Sequence, residues 1–192
     1  MQLFGLTRLP RIRIQIRPQP CLYNAAVSST FNVLFKQKMI RPRFKRRIVT
    51  RSSGIHGKGV FATRTIRKGT RIIEYRGIRS TMETVCERPL SDPDNPHHTF
   101  IFELGDGMVI DGGVNGNSAR WINHSCDPNC EVFEEDGRLF IYARRTIRDG
   151  DELTYDYRLS WDESVTERPQ DAHRCGCGTA KCRGTMMVDA AA

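Results

Sequence analysis

Three cysteines, Cys175, Cys177 and Cys182, stand close together in the run CGCGTAKCRG near the C-terminal end of a 192-residue chain. The spacing C-x-C-x4-C puts three thiolates on one glycine-rich loop, enough to wrap a Zn2+ ion with one tetrahedral corner left open. A structural zinc is four-coordinate, so the fourth ligand must come from another part of the chain. Cys126 and Cys130, in RWINHSCDPNC, are the candidates. Either choice folds a distant segment back onto the C-terminal loop, and that closure constrains the architecture more than any other feature. Gly176, Gly178 and Gly184 supply the backbone freedom that such a loop needs. The seven cysteines are odd in number and unevenly spaced. Metal ligation in a reducing compartment explains them better than a disulfide scaffold.

The rest of the chain punctuates itself into short strands. GTRIIEYRG reads as a strand ending at Gly77, and TFIFELGDGMVID as two strands joined through Gly-Asp-Gly. CEVFEEDGRLFIYA reads as a hairpin turning at Asp136-Gly137. Residues 79–98 are polar and proline-containing, which predicts a short helix and then a loop. FATRTIRKGTRI (61–72) echoes YARRTIRDGDEL (142–153), the same strand–turn unit used twice. No long amphipathic helix is evident. The expected fold class is mainly β, β-rich with short helices. No run approaches 18 apolar residues, so no membrane span is expected.

Charge is unevenly spread. Residues 1–73 hold 17 Lys and Arg and no acid, whereas residues 74–192 hold 13 Lys and Arg and all 22 acids. Residues 1–45, in which RLPRIRIQIRPQP alternates Arg and Ile, are expected to form a basic arm of low order. Such an arm fits an anionic partner such as nucleic acid, an organelle-targeting segment, or a start assigned upstream of Met39. The folded domain is expected over 46–160 and the cysteine loop over 171–187.

Other motifs are weak one by one. Gly57-Lys58-Gly59 is most often a tight turn, and Tyr155 and Tyr157 in DELTYDY are most often sheet packing. Their order along the chain is specific. G-x-G, then Tyr75–Gly77, then GNSARWINHSC, then GDELTYDY, then CGCGTAKCRG resembles the SET domain family of protein lysine methyltransferases with its post-SET zinc motif. The resemblance covers about residues 46–187. Residues 1–45 hold only Cys21, so they are not expected to form the family's cysteine-rich pre-SET module.

The resemblance implies small β-sheets and a pseudoknot in which the Asn-His-Ser-Cys segment threads beneath a C-terminal loop. It implies S-adenosylmethionine as cosubstrate and a lysine-bearing protein, histone or other, as substrate. Gly57, Lys58 and Gly59 would run along the methionine end of the cosubstrate, and Asn123 and His124 would border its adenine end. Tyr75 would line the methyl-transfer site and the cosubstrate. Tyr157 would be the catalytic tyrosine, also touching the cosubstrate, and Tyr155 would control product number. Cys126 would complete one structural zinc with Cys175, Cys177 and Cys182, leaving Cys130 to the core. Two positions depart from the pattern: Phe100 stands where the family often has Tyr, and Trp121 replaces a phenylalanine as an expected core substitution. Two other readings compete: a catalytically weak peptide-binding SET module, and a nucleic-acid-associated protein led by its arm.

Overall fold

A computed structural model describes residues 46–88, 99–161 and 173–188 and the backbone of Ile14–Ile16. The remainder of the arm and the loop expected at 89–98 lie outside the described residues. The strands are β1 (Ile14–Ile16), β2 (Ile48–Ser52), β3 (Lys58–Ala62), β4 (Arg71–Tyr75), β5 (Ile78–Ser80), β6 (Ile101–Glu103), β7 (Val109–Asp111), β8 (Asn123–His124), β9 (Cys130–Glu135), β10 (Arg138–Ala143), β11 (Glu152–Tyr155) and β12 (Leu159–Trp161). They form four small sheets in the orders β1-β12, β4-β10-β9, β2-β3-β11-β8 and β5-β7-β6. The mainly β expectation therefore holds. Helix among the described residues is limited to α1 (Met82–Cys86), capped by the Thr81 side chain, and a 3-10 turn at Ser118–Trp121.

Local chemistry sets several of these elements. Asp136 and Gly137 take φ of 51° and 70°, the left-handed pair that a two-residue hairpin needs, and join β9 to β10. The strand read as ending at Gly77 ends at Tyr75, and a further short strand, β5, follows the glycine. The two echoing segments pair with each other. Ile66 and Ile147 exchange backbone hydrogen bonds of 2.8 and 2.9 Å and are both buried. Gly69 and Gly150, at φ of 78° and 85°, turn the chain at equivalent places. The repeated turn is thus a mutual clasp that ties the β3–β4 connection to the β10–β11 connection. The core beside it is built from Val60, Ile122, Leu139, Ile141 and Leu153.

One crossing positions the site. β11 runs antiparallel to β3 and parallel to β8, with Thr154 opposite Asn123 and Tyr155 opposite His124. The chain then passes through β12 to the C-terminal segment, which returns to it: Leu159 N donates to Met186 O, and Val188 N donates to Leu159 O. That segment closes on itself through Cys175 N to Gly184 O and Met186 N to His173 O. Asn123–His124 and the residues after it are thereby held between β11 and the C-terminal loop.

Candidate active site and cysteine cluster

The G-x-G turn is fastened by Asn123. The Asn123 side-chain amide lies within donor distance of His56 O (3.2 Å), Lys58 O (3.0 Å), Ser53 Oγ (3.1 Å) and Glu152 Oε1 (2.8 Å). All four are acceptors and the amide has two hydrogens, so it is shared among them. Ser53 Oγ also donates to the Glu152 carboxylate at 2.8 Å. Glu152 approaches so closely that a side chain at Gly59 would collide with its carboxylate, which explains the second glycine. Gly57 supplies the turn, at φ 42°. Ser53 and Glu152 carry this arrangement, and neither stood out in the sequence because their partners are distant in it.

The three tyrosines converge. Tyr155 closes β11 and Tyr157 lies just beyond it, with ring centroids 4.9 Å apart. Phe102 on β6 bridges Tyr155 (5.6 Å) and Tyr75 (4.6 Å). Tyr157 Oη donates to Ile122 O, and Tyr75 Oη donates to Phe100 O, each at 2.8 Å. Burial pushes all three hydroxyls above the usual phenol range, so they are neutral at pH 7. With the protons of Tyr75 and Tyr157 committed to carbonyls, their oxygens retain acceptor capacity only. Gly112 sits against the Tyr75 ring where no side chain would fit.

His124 joins this cluster to the cysteines. Its ring stacks edge-on to Tyr157 at 5.3 Å, and its Nδ1 accepts the Tyr157 backbone N–H at 3.1 Å. Burial, opposed by Asp156, pulls the imidazole down to about 4. The neutral ring therefore carries its proton on Nε2, which points at Cys126 Sγ 3.4 Å away. Asp156, between the two tyrosines, takes both guanidinium nitrogens of Arg183. Burial works against that carboxylate, but the arginine holds it below the usual range. The Arg183 backbone N–H in turn donates to Cys126 Sγ at 3.3 Å.

Cys126, Cys175, Cys177 and Cys182 bring their sulfurs within 4.8 Å of one another, and Cys126 and Cys175 are 3.6 Å apart. Sulfurs on a tetrahedral zinc with bonds of about 2.3 Å would sit about 3.8 Å apart, so the cluster fits such an ion. Cys130 is buried elsewhere, beside Asn129. Burial pushes the Cys126 and Cys175 thiols up. At Cys177 burial is outweighed by hydrogen bonds involving the Cys126 backbone, Thr179 and Cys175, and the thiol falls to about 5.

A cleft of about 500 Å³ opens beside the G-x-G turn, with Arg51, Lys58, Asn117, Arg120 and Trp121 on its wall. Of the residues expected at a cosubstrate, Lys58 alone lines it; Asn123 and His124 are buried. Trp121 packs partly against the core and also faces the cleft, where Lys58 Nζ and the Arg120 guanidinium each lie 4.7 Å from its ring. It is therefore more than a core substitution. Among the described residues, no helix is long and apolar enough to cross a membrane.

Comparison with known proteins points the same way. Histone-lysine N-methyltransferase trithorax of Drosophila virilis is 34% identical over 161 residues, covering 81% of this chain and 4% of that protein. Histone-lysine N-methyltransferase TRX1 of Oryza sativa subsp. japonica is 36% identical over 171 residues, covering 85% of this chain and 16% of that protein. Histone-lysine N-methyltransferase ash1 of Drosophila melanogaster is 39% identical over 134 residues, covering 68% and 6%. The chain thus spans a small fraction of the length of these relatives. The SET domain model matches residues 57–158, from the G-x-G turn through both tyrosines. With that match over more than half its length, and with these small sheets, the chain belongs to the SET domain family.

Proposed function

We propose that this protein is a protein-lysine N-methyltransferase that uses S-adenosylmethionine, and that its four cysteines hold one structural zinc. The observation that carries the reading is the convergence of Tyr75, Tyr155 and Tyr157 beside the G-x-G turn, in a chain whose relatives bear the names of histone-lysine N-methyltransferases. When bound, S-adenosylmethionine supplies an electrophilic methyl group on a sulfonium.

The residues supply position and dryness. A substrate lysine with a pKa of about 10.4 costs roughly 4.6 kcal/mol to neutralise at pH 7. An ammonium brought against the packed rings of Phe102, Tyr155 and Tyr157 would be disfavoured by desolvation, which lowers that cost. The Tyr157 hydroxyl, its proton held by Ile122 O, offers an oxygen that can orient a polarised methyl through weak C–H···O contacts. None of the tyrosines serves as a phenolate base, because burial keeps them protonated. Positioning of amine and methyl then provides much of the rate. Lys58, Arg120 and Trp121 give the neighbouring cleft cations suited to the carboxylate, and a ring face suited to the heteroaromatic base, of such a cosubstrate. Intact tyrosines favour an enzyme over a weak peptide-binding module.

The test is incubation of the purified chain with core histones, a peptide array and isotopically labelled S-adenosylmethionine. Mass spectrometry should find labelled methyl groups on lysine. Label on no protein, with the cosubstrate demonstrably bound, would return the binding-module reading.

A further inference from the structure

The segment Ile14–Ile16 runs parallel to β12, with Ile14 opposite Leu159, Gln15 opposite Ser160 and Ile16 opposite Trp161. β12 begins two residues after Tyr157, and β1 also lies beside β6, the strand that carries Phe102. β6 is itself the edge of its sheet. Two strand edges thus flank a slot next to the tyrosines, and the chain fills that slot with its own N-terminal segment.

The polarity of β12 explains why the slot attracts a strand. The Leu159 N–H and C=O are both used by the C-terminal segment, through Met186 O and Val188 N. Strand alternation turns the next backbone unit, that of Ser160, toward β1. In the parallel register, these groups face the Ile14 carbonyl and the Ile16 N–H. Without β1, the Ser160 peptide groups would be left without a strand partner, and such an edge is a template for any extended peptide. The Arg-Ile alternation of RIRIQIR over 11–17 is the period-2 pattern of such a strand. Its charge complements the body, since the arm holds 9 Lys and Arg and no acid in residues 1–45, against an excess of acids after residue 73.

We propose that Ile14–Ile16 is an internal plug: it occupies the strand-docking edge of β12 beside the tyrosines, and an extended protein substrate must displace it. The consequence for turnover rests on the methyltransferase reading, but the docking itself does not. Residues 17–45 tether the segment, so it competes at the high effective concentration of an intramolecular ligand. The observed affinity of any external strand is reduced in proportion to the fraction of chains whose edge is open.

Ile16→Pro removes the N–H that faces β12 and lies outside the matched domain, at 57–158. A fluorescein-labelled peptide of residues 11–17 is titrated against the full chain and against this variant, with fluorescence anisotropy as the readout. The variant should bind the peptide at least tenfold more tightly. Hydrogen exchange at 159–161 should accelerate in the variant and slow again when the peptide is added, which also shows that the variant is folded. With core histones as the probe, KM should fall in the variant and kcat should hold. Equal peptide binding by the two chains, or unchanged exchange at 159–161, would overturn the plug. Absence of any methylation would count against the proposed activity and leave the binding result standing.

Discussion

Arg183 grips Asp156 with two contacts of 2.8 and 2.9 Å, so the residue between Tyr155 and Tyr157 is tied directly to the cysteine loop. The two tyrosine rings lie 4.9 Å apart, and the carboxylate between them lies 3.5 Å from His124 Nδ1 as well as against Arg183. Cys126 is drawn into the same arrangement through the Arg183 backbone and His124 Nε2.

Arg183→Ala should loosen the cysteine loop from the tyrosines. The pair is partly exposed, at 35% and 20% of side-chain surface, so its removal should cost only about 1 kcal/mol of stability. Asp156 has its folded pKa lowered, so the pair's contribution is present above the ordinary carboxylate range and is lost as pH falls through the folded value. Melting temperature against pH should therefore separate wild type from Arg183→Ala at neutral pH, with the two curves converging in acid. Parallel curves would show that the pair does not act electrostatically.

Asn123→Ala should cost about 1–3 kcal/mol, because Glu152 and the two turn carbonyls lose a buried donor. Asn123→Asp should be worse, since it sets a second carboxylate against Glu152. Chemical denaturation gives the stabilities, and calorimetry with S-adenosylmethionine should show weakened binding in both. Wild-type affinity in either variant would separate the turn from the cosubstrate.

Gly59→Ala places a methyl group against the Glu152 carboxylate and should destabilise by about 1–3 kcal/mol. Gly54→Ala, where the added carbon meets open space, is the control and should stay near wild type in thermal melting.

Metal analysis should find one zinc per chain, lowered by Cys126→Ser and by Cys182→Ser. Cys130→Ser should reduce stability, because its thiol is buried, while leaving the zinc content intact. Chelation should loosen 173–188 first, since metal binding and local folding are coupled there. A full zinc complement in Cys126→Ser would remove it from the ligand set.

Local features were legible in the sequence. Asp136-Gly137 announces its hairpin because its backbone conformation depends on those two residues alone. The cysteine spacing announced a cluster, though its fourth member could be narrowed only by resemblance, since Cys126 and Cys130 are equally available by spacing. The parts that escaped depend on long-range approach. Ser53 and Glu152 are ordinary polar residues until β11 lies beside the G-x-G turn, and Arg183 is one of 24 arginines until the C-terminal loop returns to Asp156. β5 was missed because three residues show too little alternation to read.

The tyrosine pair gives the most direct measurement: a time course of methylated products from core histones by mass spectrometry, for wild type, Tyr155→Phe and Tyr157→Phe. Wild type should give mainly mono- and dimethyl-lysine. Tyr157→Phe loses the hydroxyl anchored on Ile122 O and should slow by orders of magnitude. Tyr155→Phe should keep its activity and shift toward higher methylation, because removing the hydroxyl leaves room for an amine already methylated. An active Tyr157→Phe beside an inactive Tyr155→Phe, or trimethylation by the wild type, would contradict the roles assigned to these two residues.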